Sequence, residues 1–257
     1  MTDAPVLTEL DDHGVLTVTL NRPTRRNAFD QAAFLGLAKA LAEANEDPQV
    51  AVVLLTGAGA DFSSGLDIAD AGVDDGGQPP FEQMMDALCA LDKPLVAAAR
   101  GCAIGFGATV LFHCDVAYLG TSTKLRMPFA SLGLVTEAAA AYLGPARIGH
   151  KQAAELIFTA EWFDANKALA YGIATQVFSD EELVSRALEK AREIAQWPVD
   201  SLVEIKRIMK AVHTDRIAMA RKLEIQGFEK LMGGPANVEA FTAFLEKRAP
   251  DFKQFRK

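Results

Sequence analysis

Three short apolar runs constrain this chain more than any other feature: VAVVLLTG (Val50–Gly57), PLVAAARG (Pro94–Gly101) and VAYLG (Val116–Gly120). None alternates with polar residues, so each reads as a strand buried on both faces, the kind found in parallel sheets covered by helices. Parallel neighbours need crossover connections, and Asp30 opens a helical pattern with Phe34, Leu37 and Leu41 that ends near Asn45 and supplies one. Ahead of it, GVLTVTLNRP alternates with Leu16, Val18 and Leu20 on one face, a half-buried strand stopped by Pro23. The stretch Leu95–Cys114 is of marginal length for a membrane span and contains Arg100 and three glycines, so it reads as a buried strand followed by a helix beginning near Gly105–Gly107. The fold class is therefore α/β with a mostly parallel sheet.

From about Asp180 onward only helical patterns remain. DEELVSRALEKAREIAQ forms one, Leu202, Ile205, Met209 and Val212 mark a second, Ile217, Ala220, Leu223 and Leu231 a third, and Asn237 to Lys247 a fourth. Pro198 and Gly233–Gly234 punctuate them. The expected division is an α/β core with the site over residues 1–195 and a helical oligomerisation region over 196–257, because these apolar faces exceed what one core can cover. AGVDDGGQPP (Ala71–Pro80) is the one segment expected to be flexible.

A net charge of −8 argues against nucleic acid or an anionic membrane surface as partner. Cys89, Cys102 and Cys114 are odd in number and set in apolar runs, which fits reduced, buried thiols of a cytoplasmic protein; no metal-ligand spacing is present. The acidic start MTDAPVLTELDD has no apolar segment of the signal-peptide kind.

Two segments join a buried strand to a glycine turn and a helix start: LLTGAGADFSSGLDIAD and AARGCAIGFGATVLFHCD. Such turns let the backbone approach a ligand and present unpaired N–H groups. Two of them face to face would give two donors to a developing oxyanion. Neither GAGADF nor GFGATV carries the third glycine of a dinucleotide fingerprint.

In this order, NRPTRRNAF, VVLLTGAGADFSSGLDI, DKPLVAAARGCAIGFGATVLFHCDVAYLG, LGLVTE and AYGIATQVF resemble the enoyl-CoA hydratase/isomerase (crotonase) superfamily, a likeness that runs on to FLEKRAPDFK. The resemblance implies a spiral of ββα units with a C-terminal helical trimerisation region, present as a homotrimer or a hexamer. It also implies an acyl-CoA thioester substrate and no separate cofactor, coenzyme A being part of the substrate. The backbone N–H groups of Leu66 and Phe106 then form the oxyanion hole, flanked by Ser64, Gly65, Asp67, Ile68, Gly105 and Gly107. Arg26, with Arg25 as helper, is placed near the CoA phosphates, and Lys253 in the tail is a further candidate.

Hydratases of this superfamily carry two glutamates, and the matching positions here are Thr109 in GFGATV and Phe129 in RMPFA. Neither side chain is a useful base. One carboxylate remains, Glu137, in the otherwise apolar FASLGLVTEAAAAYLG, and PFASLGLVTE is similar to the segment that holds the single acid of the Δ3,Δ2-enoyl-CoA isomerase branch. Moving a double bond needs one acid-base group, and an apolar surround raises its pKa and strengthens it as a base. The plain alternative is a helix start with Thr136 as N-cap and Glu137 in the first turn. Phe106, Phe129 and Tyr142 are candidate pocket walls, Glu161 and Asp70 candidate neighbours of the acyl group. Asp67 suits a loop brace, His13, His150 and His213 suit surface or turn positions, and His113–Asp115 point apart as neighbours on one element. An enoyl-CoA hydratase with an unusual acid-base set, an isomerase of a ring-bearing or other unusual acyl-CoA with an acid at the same place, and a catalytically silent acyl-CoA-binding protein are the rival functions.

Overall fold

A computed structural model describes residues 4–67 and 77–256 of the 257. Ile68, Asp70 and residues 71–76 of the segment expected to be flexible lie outside the described residues. The main sheet runs β1 (Val6–Leu10), β2 (Val15–Leu20), β3 (Val52–Gly57), β4 (Leu95–Ala99), β6 (Val116–Gly120) and β9 (Gln176–Phe178) in that spatial order. Only the β1–β2 pair is antiparallel; the other neighbours are parallel.

The three apolar runs are its central strands, and their alternate residues enter two different cores. Val53, Leu55, Ala97 and Ala99 pack in one cluster with α1 (Gln31–Glu46) and α2 (Pro80–Ala90). Val52, Leu54, Val96 and Ala98 face the other way, against Leu183, Ala187 and Ala191 of α7 (Leu183–Ala195). Burial on both faces explains the missing alternation. Asp30 caps α1 through the Ala33 N–H, and Phe34, Leu37 and Leu41 are its buried stripe.

A second sheet contains β5 (Cys102–Ile104), β7 (Lys124–Arg126) and β8 (Trp162–Asp164). The chain leaves β4, turns at Arg100–Gly101, runs through β5 and enters α3 (Phe106–Thr109), so the strand-then-helix reading of Leu95–Cys114 becomes strand, strand, helix. The helix expected from Gly105–Gly107 is a single turn that continues as a 3-10 turn, Val110–Phe112. Beyond β7 come α4 (Ala140–Ile148), α5 (His150–Thr159) and α6 (Ala165–Tyr171).

The helical tail is α8 (Val199–Ala211), α9 (Thr214–Leu231) and α10 (Pro235–Leu245). Lys206 ties α8 to the core, pairing with Asp115 at 2.8 Å and donating to the Lys93 carbonyl at 2.7 Å. Ile205, Met209 and Val212, half of the expected apolar stripe and more, stay exposed within one chain. No helix among the described residues is long and apolar enough to cross a membrane, and they contain no cluster of three or more His, Cys, Asp or Glu suited to a metal. Of the thiols expected to be buried, Cys102 is; Cys89 and Cys114 are half-buried.

Candidate active site

The two glycine turns meet. The residue 62–66 segment lies beside β5, with Ser63 bridging Ala103 and Leu66 bridging Phe29. Gly65 has φ +84°, and a Cβ there would stand 2.6 Å from the Ile104 carbonyl oxygen and 3.7 Å from the Gly105 Cα. Only glycine allows that approach together with that backbone. Gly105, at φ 54° and ψ −121°, begins α3, and Gly107 lies against the Ser63 carbonyl. Ser63 fastens the first turn, its hydroxyl donating to the Asn27 carbonyl and accepting from the Gly65 N–H.

Among the described residues, neither the Leu66 N–H nor the Phe106 N–H donates a hydrogen bond. Phe106 opens a helix, where an N–H has no intrahelical acceptor, and its ring is buried among Phe29, Phe34 and Phe81. The Leu66 side chain is exposed. The expected wall residue Phe106 thus serves the core with its side chain and leaves its main chain at the turn.

Glu137 reaches this junction. Its Oε1 lies 3.7 Å from the point where a Gly105 Cβ would be, and the Gly65 Cα lies 4.0 Å from the same point. The helix-start alternative does not hold, because α4 begins only at Ala140 and Thr136 donates its hydroxyl to Glu224 instead of capping. Between Glu137 and the helix, Ala138 and Ala139 both adopt left-handed backbone, φ 56° and 57°. For residues bearing a Cβ this conformation costs about 1–2 kcal/mol each. Burial, reinforced by the neighbouring Glu224 charge, pushes the Glu137 carboxyl up to about 8.

The other acid-base positions are silent. Thr109 is fully buried and donates its hydroxyl back to the Gly105 carbonyl at 3.3 Å. Phe129 is buried and caps the 3-10 turn Ala130–Leu132. Glu161 pairs with Lys167 at 2.6 Å, beside β8, rather than with anything at the junction. His113 and Asp115 diverge as expected: His113 contacts the Ala138 carbonyl through Nε2 at 2.7 Å, while Asp115 accepts from the Leu95 N–H and Lys206. Burial holds His113 near 4, well below the ordinary histidine value. His213 lies in the turn between α8 and α9, as expected, and there it is half-buried and bonded to the Tyr142 hydroxyl at 2.7 Å.

The basic group is arranged around Asp67. This buried carboxylate accepts from Arg22 at 3.1 Å and from Arg25 at 3.0 Å, which makes it the brace of the loop. Ser64 donates its N–H to the Arg26 carbonyl, so Arg25, Arg26 and Ser64 sit beside the Gly65 turn. The Arg26 guanidinium is 71% exposed and only loosely paired, 3.8 Å from Asp61. It lines a cavity of about 800 Å3 together with Lys124, Trp162 and Lys167, and neither Glu137 nor Gly65 is among the cavity walls. Lys253 is not among those cavity walls, and its backbone N–H and carbonyl bond to Asp251 and Arg256 within the tail.

Sequence reading missed Glu224. It lies in mid-helix α9, spaced as an ordinary helical glutamate, and only the packing of α9 against the Thr136–Ala141 turn distinguishes it.

Residues 11–256 match the model of the family described as enoyl-CoA hydratase/isomerase. Among curated proteins, the chain is similar to the 1,2-epoxyphenylacetyl-CoA isomerase of Escherichia coli (strain K12), at 33% identity over 94% of this chain and 95% of that one. It is also similar to the 2,3-dehydroadipyl-CoA hydratase of the same strain, at 29% identity over 93% of this chain and 95% of that one. Among solved structures, an enoyl-CoA hydratase/isomerase from Pseudoalteromonas atlantica T6c superposes with a TM-score of 0.93 at 35% identity, covering 96% of this chain and 99% of that one.

Proposed function

The chain belongs to the enoyl-CoA hydratase/isomerase (crotonase) family of acyl-CoA-processing enzymes, and from that premise we propose that it is a Δ3,Δ2-enoyl-CoA isomerase. One observation carries the reading: among the described residues a single carboxyl, Glu137, stands at the meeting of the two glycine turns, while Thr109 and Phe129 offer no second acid or base. In the proposed reaction the thioester oxygen accepts from the free N–H groups of Leu66 and Phe106. The Glu137 carboxylate takes a proton from C2, the electron pair delocalises into a dienolate held by those two donors, and Glu137 returns the proton to C4. Donors fixed in a site that excludes water stabilise the charge where it develops. No separate cofactor enters this chemistry.

The exposed Arg26 is assigned to a CoA phosphate, with Arg25 contributing mainly through its pair with Asp67. Arg26→Ala is expected to raise KM about three- to tenfold at low salt with kcat unchanged, and the difference should shrink as ionic strength rises. A salt-independent change in kcat would remove Arg26 from phosphate binding. The exposed apolar stripe of α8 supports the expected trimer or hexamer.

The test is a spectroscopic assay with 3-enoyl-CoA and trans-2-enoyl-CoA substrates. Formation of the conjugated thioester from the first, without hydration of the second, is the expected result. The base must be ionised to act and burial holds it near 8, so kcat/KM should climb about tenfold per pH unit below that midpoint. Hydration of trans-2-enoyl-CoA as the main activity would sink the isomerase reading in favour of a hydratase. A second reading has one observation in its favour, the 33% identity to a 1,2-epoxyphenylacetyl-CoA isomerase: the same acid at the same turn would act on a ring-bearing acyl-CoA. Turnover of such a thioester in place of 3-enoyl-CoA selects it.

A further inference from the structure

The loop that carries Glu137 is held from below by the C-terminal helices of its own chain. Asn237 of α10 donates its side-chain amide to the Leu132 carbonyl at 2.8 Å. Gly227 of α9 lies so close to Val135 that a Cβ there would be 2.8 Å from Val135 Cγ2. One turn earlier on α9 comes Glu224, a buried carboxylate that faces the loop. Its Oε1 accepts from the Thr136 hydroxyl at 2.8 Å and from the Ala141 N–H at 2.9 Å, and its Oε2 accepts from the Ala139 N–H at 2.7 Å. On the other side His113 Nε2 meets the Ala138 carbonyl at 2.7 Å.

These contacts bracket the left-handed pair Ala138–Ala139, which immediately follows Glu137. Two successive residues with a Cβ do not hold that conformation unaided, so the surroundings must fix it. An acceptor-only group matches the need: all the contacts Glu224 makes to the turn are received, none given. A helix capped in the ordinary way would need only one of them.

We infer that Glu224 is a positioning residue for Glu137, its carboxylate locking the Ala138–Ala139 turn so that the Glu137 carboxyl is aimed at the Gly65–Gly105 junction. The inference rests on the reading of Glu137 as the acid-base group. Glu224 also acts through its charge, since burial and this like charge both keep the Glu137 proton on to higher pH. Glu82 of α2, itself paired with Arg221 at 2.6 Å, bears on Glu224 through its charge, and Glu224 bears on Glu137 in the same way; His113 reaches the turn through the Ala138 carbonyl.

The test compares wild type with Glu224→Gln, Thr136→Val and Glu137→Gln. Glutamine fills the same space but turns an N–H toward one of the donors now satisfied, and it removes the charge. Expected for Glu224→Gln is a fall in kcat of about 10- to 100-fold on 3-enoyl-CoA, with KM within about threefold. In protein labelled with 13C at the glutamate carboxyls, the Glu137 titration midpoint should fall by about half a unit or more, its signal being identified by its loss in Glu137→Gln. Thr136→Val removes a single donor and keeps the charge, so kcat should drop a few-fold without lowering the midpoint; it also replaces Glu224→Gln should that variant not fold. Wild-type kcat and midpoint in Glu224→Gln, alongside an inactive Glu137→Gln, overturn the positioning role alone. An active Glu137→Gln overturns the base assignment and the role of Glu224 with it. Should wild type not turn over 3-enoyl-CoA, the isomerase reading falls, and an unshifted Glu137 titration still overturns the coupling to Glu224.

Discussion

Replacing Glu137 by glutamine is expected to abolish turnover of 3-enoyl-CoA, by about a thousandfold or more, and at the same time to make the folded protein more stable at alkaline pH. The first effect follows from removing the only carboxyl at the Gly65–Gly105 junction among the described residues, since the amide neither takes nor returns a proton. The second follows from the cost of burying it. Its carboxyl titrates near 8 in the folded chain against an ordinary 4.5. Below pH 4.5 it is protonated in both folded and unfolded states and contributes no pH dependence. Between there and about 8 the unfolded chain releases the proton while the folded chain keeps it, so the wild type loses stability as pH rises.

Glutamine resembles the protonated acid and carries no such penalty. Because Glu137 is half-buried rather than sealed, the full shift is discounted to about 2 kcal/mol, or about 4–8 °C in Tm at pH 9 for a chain of this size. Near pH 5 the two proteins should melt within a degree or two of each other. Thermal denaturation of both across pH 5–9 checks this. A difference that stays flat with pH, or a variant less stable at pH 9, would refute burial as the source of the raised value.

The second large effect is expected at Gly65. Gly65→Ala places a methyl 2.6 Å from the Ile104 carbonyl oxygen in a residue whose φ is +84°. Neither the β5 backbone nor the turn can absorb that contact by a side-chain rotation, so the turn must move and carry the Leu66 N–H with it. Loss of one donor from an oxyanion site costs about a hundredfold to a thousandfold in rate. Strain and overlap together should cost about 2–4 kcal/mol of stability. Gly105→Ala is the informative contrast. A Cβ there finds the Glu137 Oε1 at 3.7 Å and the Gly65 Cα at 4.0 Å, ordinary contacts, so the methyl enters the junction without overlap and leaves only the φ +54° strain. Both variants should lose activity, but Gly105→Ala should melt several degrees above Gly65→Ala. The reverse order would show that the two turns are not interlocked as described.

Tolerance elsewhere follows the same geometry. The arginine side chains around Asp67 are held by charge pairs at 3.0–3.1 Å, whereas the Gly65 turn is held by backbone contact. The exposed Arg25 end of these pairs adjusts to substitution by small increments, although the Asp67 carboxylate it meets is buried. A backbone crossing does not.

Much of this was legible in the residues themselves. Uninterrupted runs such as VAVVLLTG specify strands buried on both faces, because a strand with one solvated face would have been selected for alternation. Asp30 and the Phe34, Leu37 and Leu41 spacing specified α1 and its inward face. Glycine at positions 65 and 105 and a lone charge before four alanines marked the segments that meet at the junction and the acid proposed to act there, because glycine turns and isolated carboxylates are uncommon in segments otherwise built for burial.

What only the tertiary structure decided is how those parts meet. Strands β5, β7, β8 and β9, of three residues each, have too little length for a period; pairing with distant partners makes them strands. The environment of Glu137 is also a long-range property. Its neighbours at the junction are 32 and 72 residues earlier in the chain, and the carboxylate that fixes its turn lies 87 residues later on α9. Local sequence sets which residues are able to bend, bury or ionise. Packing of remote segments sets their exposure, their neighbours and hence their pKa, and that is why Glu137 could be singled out from the sequence while Glu224 could not.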